Sequence, residues 1–169
     1  AQELLGQEMW LQFLEMGEYD SAYSVPGLSR FRVNIFRQRG TVSLVLRMIP
    51  YGIPSLDSLG LPEVTRDFLR RSQGLFLVTG PTGSGKSTSL AAMVDEINRT
   101  MAKHVITLED PIEYLHTHQK SIVVQREVGL DTKTFAAGLR AALREDPDVI
   151  LVGEMRDLET ISTALTAAE

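Results

Sequence analysis

The run Gly74-Leu-Phe-Leu-Val-Thr-Gly80-Pro-Thr-Gly83-Ser-Gly85-Lys86-Ser87-Thr88 constrains this chain more than any other stretch. An apolar, β-prone segment leads into a glycine-rich loop, and a helical pattern follows it. Gly80, Gly85, Lys86 and Ser87 satisfy the spacing of a phosphate loop, with Gly83 as an additional glycine. Glycines let successive N–H groups converge on one anion. A helix opening at Ser87 adds unpaired N–H groups and the positive end of its dipole. Lys86 is expected to reach the β- and γ-phosphates, and the Ser87 hydroxyl to hold Mg²⁺. The expected nucleotide site is therefore Gly80, Pro81, Thr82, Gly83, Ser84, Gly85, Lys86, Ser87 and Thr88. A loop of this kind needs a buried strand before it, which points to a parallel α/β sheet binding a nucleoside triphosphate.

The chain before the loop has a different rhythm. Residues 3–16 repeat apolar side chains at helical spacing, among them Leu5, Met9, Trp10, Phe13 and Leu14, and Trp10 and Phe13 read as core. From Tyr19 the period falls to two, predicting strands over 19–25, 30–36 and 41–49. Arg37-Gln-Arg39-Gly40 reads as a hairpin turn. If the turn is centred between Arg39 and Gly40, Arg32 faces Arg47, away from the apolar stripe of Phe31, Val33 and Ile35. Like charges directly opposite each other on a sheet are unfavourable. The pair either binds an anion such as phosphate or is simply solvated, and pattern alone supports both. A turn-rich linker follows, with Pro62 opening a short helix to about Arg71. The expected organisation is 1–50 as one domain, 51–72 as linker and short helix, and 73–169 as the core.

Beyond the loop, strands alternate with helical patterns. A helix is predicted over 87–99, strands over 104–108 and 121–125, and a helix capped by Asp131 or Thr132 with Phe135, Leu139 and Leu143 inside. Val149-Ile-Leu-Val152 is fully apolar, as expected of a central parallel strand. Asp157 is expected to cap a last helix. Ligands of open α/β sheets lie beyond the carboxyl ends of the strands. Two of those ends carry Glu109, Asp110, Glu113 and Glu154. Phosphoryl transfer to water needs a carboxylate to orient the water, and residue type alone does not rank Glu113 against Glu154 as that base. His116 and His118 at i, i+2 would take a metal only on a strand and lack a third ligand, so a surface loop is expected for them.

At 169 residues the length suits one domain or slightly more. A net charge of −5 opposes general binding to a nucleic-acid backbone. No apolar run is long enough to span a membrane, and there is no cysteine for a disulfide or thiolate metal site. The chain opens and closes inside helical patterns, so a fragment of a longer protein is expected, weakly stable and nearly inactive alone.

Several motifs together resemble one family. Leu143-Arg-Glu-Asp146-Pro147-Asp148-Val-Ile-Leu-Val-Gly153-Glu154-Met-Arg156-Asp157 resembles the signature of the secretion ATPases of type II secretion and type IV pili. Ile106-Thr-Leu-Glu109-Asp110-Pro111-Ile-Glu113 is similar to that family's Asp box. Ser29-Arg-Phe-Arg-Val-Asn34 and Gln125-Arg-Glu-Val-Gly129 extend the likeness, which covers residues from about 19 onward. The Met155-Arg-Asp-Leu-Glu variant is most similar to the branch that retracts pili in twitching motility. The resemblance implies a RecA-like P-loop NTPase core, incomplete at its C-terminal side, preceded by part of a PAS-like domain. It also implies a Mg²⁺-dependent ATPase working as a cytoplasmic homo-hexamer at the inner face of the inner membrane, acting on pilins through a platform protein and not on nucleic acid. By the same resemblance Glu113 is the catalytic base, Glu154 the Walker B acid near the metal, and Arg32 and Arg47 contact the nucleotide. The assembly and secretion branches are the alternative within the family. A nucleic-acid translocase or a nucleotide-gated regulatory subunit is the alternative outside it.

Overall fold

A computed structural model describes residues 2–49 and 52–169. Ala1, and Pro50 and Tyr51 at the predicted linker, lie outside the described residues. The chain divides into two compact units, residues 1–51 and 52–169.

In the first unit α1 (Gln2–Met16) precedes an antiparallel meander of β1 (Glu18–Val25), β2 (Ser29–Gln38) and β3 (Thr41–Ile49), in that order across the sheet. The helix is broken at Gly6, which takes a φ of 74° that other residues resist, so the single helix expected from periodicity is interrupted. Phe13, Val33 and Ile35 are almost fully buried together with Leu5, and Met9, Trp10, Tyr19, Phe31 and Leu44 pack around them. Leu14, expected inside, is exposed. Arg39 and Gly40 both adopt positive φ, at 50° and 81°, the backbone of a two-residue hairpin turn whose twist matches its strands. That turn sets the register, pairing Gln38 with Thr41, Val33 with Leu46 and Arg32 with Arg47.

The second unit is built on a parallel sheet of β4 (His104–Glu109), β5 (Ile122–Glu127) and β6 (Val149–Val152), ordered β5-β4-β6. Its helices are α2 (Val64–Leu69), α3 (Lys86–Thr100), α4 (Phe135–Ala142) and α5 (Leu158–Ala167). Strand periodicity sorts the two faces. Val105, Val123, Val149 and Leu151 meet Val94 and Ile97 of α3. Leu108, Ile150 and Val152 meet Leu139 of α4 and Ala164 of α5. The class is α/β, as expected. Three local expectations change. β4, not β6, is the central strand of this sheet, with Val105, Ile106 and Leu108 at 0 % exposure, because it pairs on both edges, with β5 and with β6. The helix predicted from Asp131 or Thr132 is capped by Thr134, whose hydroxyl accepts the Ala137 N–H. Asp131 is unavailable for the cap because its carboxylate accepts the Glu127 N–H at 2.8 Å.

The third change concerns residues 74–79, expected as a buried strand. They join no ladder among the described residues, and Leu75, Phe76 and Leu77 are about half exposed. Residue type makes the segment extended, but a strand also needs a neighbour that exchanges main-chain hydrogen bonds with it. Its recorded main-chain bond is Gly74 N–H to the Ala168 carbonyl, 2.9 Å, on the helical side. Val78 turns inward against Leu56, Ala92 and Met93, which anchors the segment to α3.

Asp148 ties the starts of β4 and β6 together, accepting from Lys103 Nζ and from the His104 N–H, each at 2.8 Å. The Lys103 ammonium, and then the His104 N–H, hold this carboxyl below its ordinary value of 3.8. A carboxyl depressed on folding stabilises above its unfolded pKa and loses that contribution as the pH falls through the folded one. Asp148→Asn is expected to cost about 0.5–1 kcal/mol at pH 7, a modest figure because solvent screens this half-exposed pair. Thermal melts at several pH values should show the gap from the parent closing as the pH drops below 3.8.

Candidate functional site

The phosphate-loop run keeps the geometry its sequence requires. Gly83 and Gly85 take φ of 79° and 88°. Gly80 takes a φ of 152°, a backbone that residues with a side chain resist, and a Cβ there would sit 2.8 Å from Ser84 Oγ, which would have to rotate away. α3 then starts at Lys86, with Gly85 as its N-cap and no side chain capping it. The N–H groups of a helix's first turn have no intrahelical partners, so here they face the loop mouth without a competing side chain. Lys86 arches over the loop, its Nζ donating to the carbonyls of Gly80 and Pro81 at 2.9 Å each. Converging N–H groups, a cation and the hydroxyls of Ser87 and Thr88 fit a polyphosphate. Among the described residues no three His, Cys, Asp or Glu side chains cluster to hold a metal. A Mg²⁺ ion at this loop would therefore depend on phosphate oxygens and waters with one or two side chains, a coordination this ion accepts.

The acidic run leaves the carboxyl end of β4. Glu109 accepts from Thr107 Oγ1 at 2.6 Å and from Gln125 Nε2 at 3.1 Å. Burial holds its carboxyl above the ordinary range against these hydrogen bonds, and the nearby Glu113 charge acts in the same direction as burial. The Asp110–Pro111 peptide is cis. Ile112 is buried, while Glu113 and Tyr114 are half-buried. The Tyr114 hydroxyl reaches Thr88 Oγ1 at 3.1 Å, which joins the Glu113 loop to the helix of the phosphate loop.

Glu154 follows β6 and pairs with Arg156 at 2.8 Å. Gly153 lets the chain pass close over β4. Its N–H donates to the Leu108 carbonyl at 2.8 Å, and a Cβ there would lie 3.1 Å from that oxygen and 3.4 Å from Glu109 Cα. The ends of β4 and β6 thus bring the stretches bearing Glu109 and Glu154 side by side. Arg32 and Arg47 face each other in the first unit as the hairpin register requires. Asp20, which the sequence reading left out, lies 4.0 Å from Arg32 Nε and eases the repulsion. His116 and His118 both lie on a loop, as expected, and His118 is exposed; His116 is less exposed than a surface loop implies. His116 is half-buried, with a buried Nδ1 that has no hydrogen-bond partner, and burial lowers its pKa. His118 Nδ1 accepts the Val123 N–H at 3.1 Å, so it closes the loop against β5.

Sequence reading missed Thr107, Tyr114, Gln125 and Glu127 as parts of this neighbourhood. For Thr107 and Gln125 the available signal was a polar side chain inside a predicted parallel strand, where apolar ones are the rule; Tyr114 and Glu127 lie outside the predicted strands and carried no such signal.

Comparison with known proteins bears on the same residues. The family model described as Type II/IV secretion system protein matches residues 25–169. The chain is 53 % identical over 167 residues to the Escherichia coli protein called Uncharacterized protein YggR, covering 99 % of this chain and 51 % of that one. It is 52 % identical over 167 residues to the Type IV pilus retractation ATPase PilT of Pseudomonas aeruginosa, covering 99 % of this chain and 48 % of the relative. A crystal structure of the pilus retraction motor PilT with bound ADP superimposes with a TM-score of 0.96 at 57 % identity, covering 99 % of this chain and 49 % of that one. The chain spans about half the length of the curated relatives it matches.

Because the contacts around Gly153 are with main chain, Gly153→Ala must push β4 and β6 apart at their carboxyl ends. It is expected to cost about 1 kcal/mol, read as a melting temperature lower by roughly 2–8 °C.

Proposed function

The chain belongs to the type II/IV secretion system protein family, and from that membership we propose that it is part of a Mg²⁺-dependent ATPase whose turnover powers retraction of type IV pili. The observation that carries the reading is the bridge between Tyr114 and Thr88, which sets an acidic strand end against a phosphate-binding loop. Likeness to retraction ATPases over nearly the whole chain favours the retraction branch over the assembly and secretion branches.

Each residue then has a task derived from its surroundings. The N–H groups of the loop and of the first turn of α3 hold the β- and γ-phosphate oxygens. Lys86, now donating to two carbonyls, can exchange them for phosphate oxygens at the same mouth. Ser87, with Glu154 directly or through water, would hold Mg²⁺, which when bound would neutralise charge on the phosphates. Glu113 orients the attacking water and takes its proton as the bond from the γ-phosphorus to the leaving oxygen breaks. Glu154 must release Arg156 to serve the metal. Arg32 and Arg47, two cations set opposite each other, suit an anion that relieves their repulsion, and we assign them to the nucleotide phosphates.

We further propose a homo-hexamer at the cytoplasmic face of the inner membrane, engaging pilins through a platform protein. No described helix is long and apolar enough to cross a membrane. The net charge of −5 supports a protein partner over nucleic acid.

The test is turnover by the full-length protein. Glu113→Gln is expected to lower kcat by at least ~100-fold while ADP affinity stays within about threefold, since the base acts on water and not on binding. Lys86→Ala is expected to weaken nucleotide binding as well as turnover. Undiminished hydrolysis by Glu113→Gln would return the reading to a nucleotide-gated subunit. Cells lacking the protein are expected to keep surface pili and lose surface motility; loss of pili would favour assembly.

A further inference from the structure

Glu113 sits on a loop, and a loop by itself does not place a carboxylate well enough for catalysis. The main chain around it is held from one neighbouring strand. Immediately before Glu113, the Ile112 N–H donates to Glu127 Oε2 at 3.1 Å. Immediately after it, the Tyr114 carbonyl accepts from Gln125 Nε2 at 2.8 Å. Two residues further on, the His116 N–H donates to Gln125 Oε1 at 2.8 Å. Gln125 and Glu127 are two apart on β5, so both project from one face of the strand. Arg126 between them serves other partners, donating to the Asp131 carbonyl and pairing with Glu145.

Gln125 uses three of the four hydrogen-bonding sites of its amide. Its oxygen accepts one main-chain N–H, and its two N–H bonds go to the Tyr114 carbonyl and to Glu109 Oε1. An apolar residue, the usual occupant of a parallel strand, could make none of these bonds. The same loop is tied at its far side by Tyr114 to Thr88. Hydrogen bonds therefore run without a gap from β4 through Gln125 and Tyr114 to the phosphate-loop helix.

We propose that Gln125, assisted by Glu127, is the positioning residue that fixes the Glu113 carboxylate against the phosphate loop. The proposal rests on Glu113 being the base that activates water. Gln125 acts by holding the main chain after Glu113, at Tyr114 and His116, while Glu127 holds the main chain before it, at Ile112. Loss of Gln125 leaves the binding groups in place and lets the base wander, so kcat falls and nucleotide affinity does not.

The experiment uses the full-length assembled protein carrying Gln125→Met, which keeps the side-chain length and removes every hydrogen bond. Steady-state turnover is expected to fall about tenfold, with KM for ATP and affinity for ADP within about twofold of the parent. Gln125→Glu keeps the acceptor for the His116 N–H but sets a carboxylate against Glu109 and the Tyr114 carbonyl, so its turnover is expected to fall at least as far as that of Gln125→Met. It also carries the test if the methionine variant does not fold. The decisive comparison adds Glu113→Gln. The Gln125→Met and Glu113→Gln double variant is expected to turn over no more slowly than Glu113→Gln alone, because there is no base left to position. An undiminished kcat in the Gln125 variants overturns the proposal, as does a fall in affinity matching the fall in kcat. A further tenfold loss on top of Glu113→Gln overturns it too. Glu113→Gln retaining full turnover would instead remove the assignment of Glu113 itself and this proposal with it.

Discussion

Strand β4 is paired on both edges and covered on both faces, and the site depends on that confinement. A strand enclosed in this way can show polar groups only where it ends. Parallel strands joined by crossovers all end on the same edge, so the groups following β4, β5 and β6 share one neighbourhood. Buried polar atoms there must find partners, because an unpaired one costs roughly 1–3 kcal/mol. Glu109, Gln125, Glu127 and the main chain of residues 112–116 satisfy one another. The same bonds that meet the solvation requirement also fix the geometry of a reactive loop.

The phosphate loop follows a different logic. Its shape comes from glycines and from the helix that follows it, so it persists although residues 74–79 share no ladder. Val78 against α3 and the Tyr114–Thr88 bond hold it from the helical side. Local chemistry is sufficient for the anion cradle; the carboxylates that would act on the anion are placed by tertiary contacts.

Legibility in the sequence followed the range of the interaction. The β2–β3 register could be read because a two-residue turn leaves a single pairing, and Arg32 duly faces Arg47. The Asp157 cap could be read because its partner, Thr160, is three residues away. Asp131 and Thr132 suit a cap by residue type, yet Thr134 caps α4, and Asp131 instead accepts the N–H of Glu127 at the end of β5. β6 looked central because four apolar residues suit a buried strand, yet order across a sheet is a choice among partners distant in sequence. The loop carrying His116 and His118 could be read, but the half-burial of His116 could not, because nothing nearby announces that the loop folds back on β5.

By itself the sequence determined most of the elements, the hairpin register, the turn of the glycine-rich loop into a helix and the family, since each rests on residue type and short spacing. Tertiary structure alone decided that β4 is central, that Asp20 shares the Arg32 charge, and that Gln125 and Glu127 grip the chain on either side of Glu113. Those outcomes depend on which polar groups are left to satisfy each other once the strands have been brought together, and spacing along one chain does not encode that.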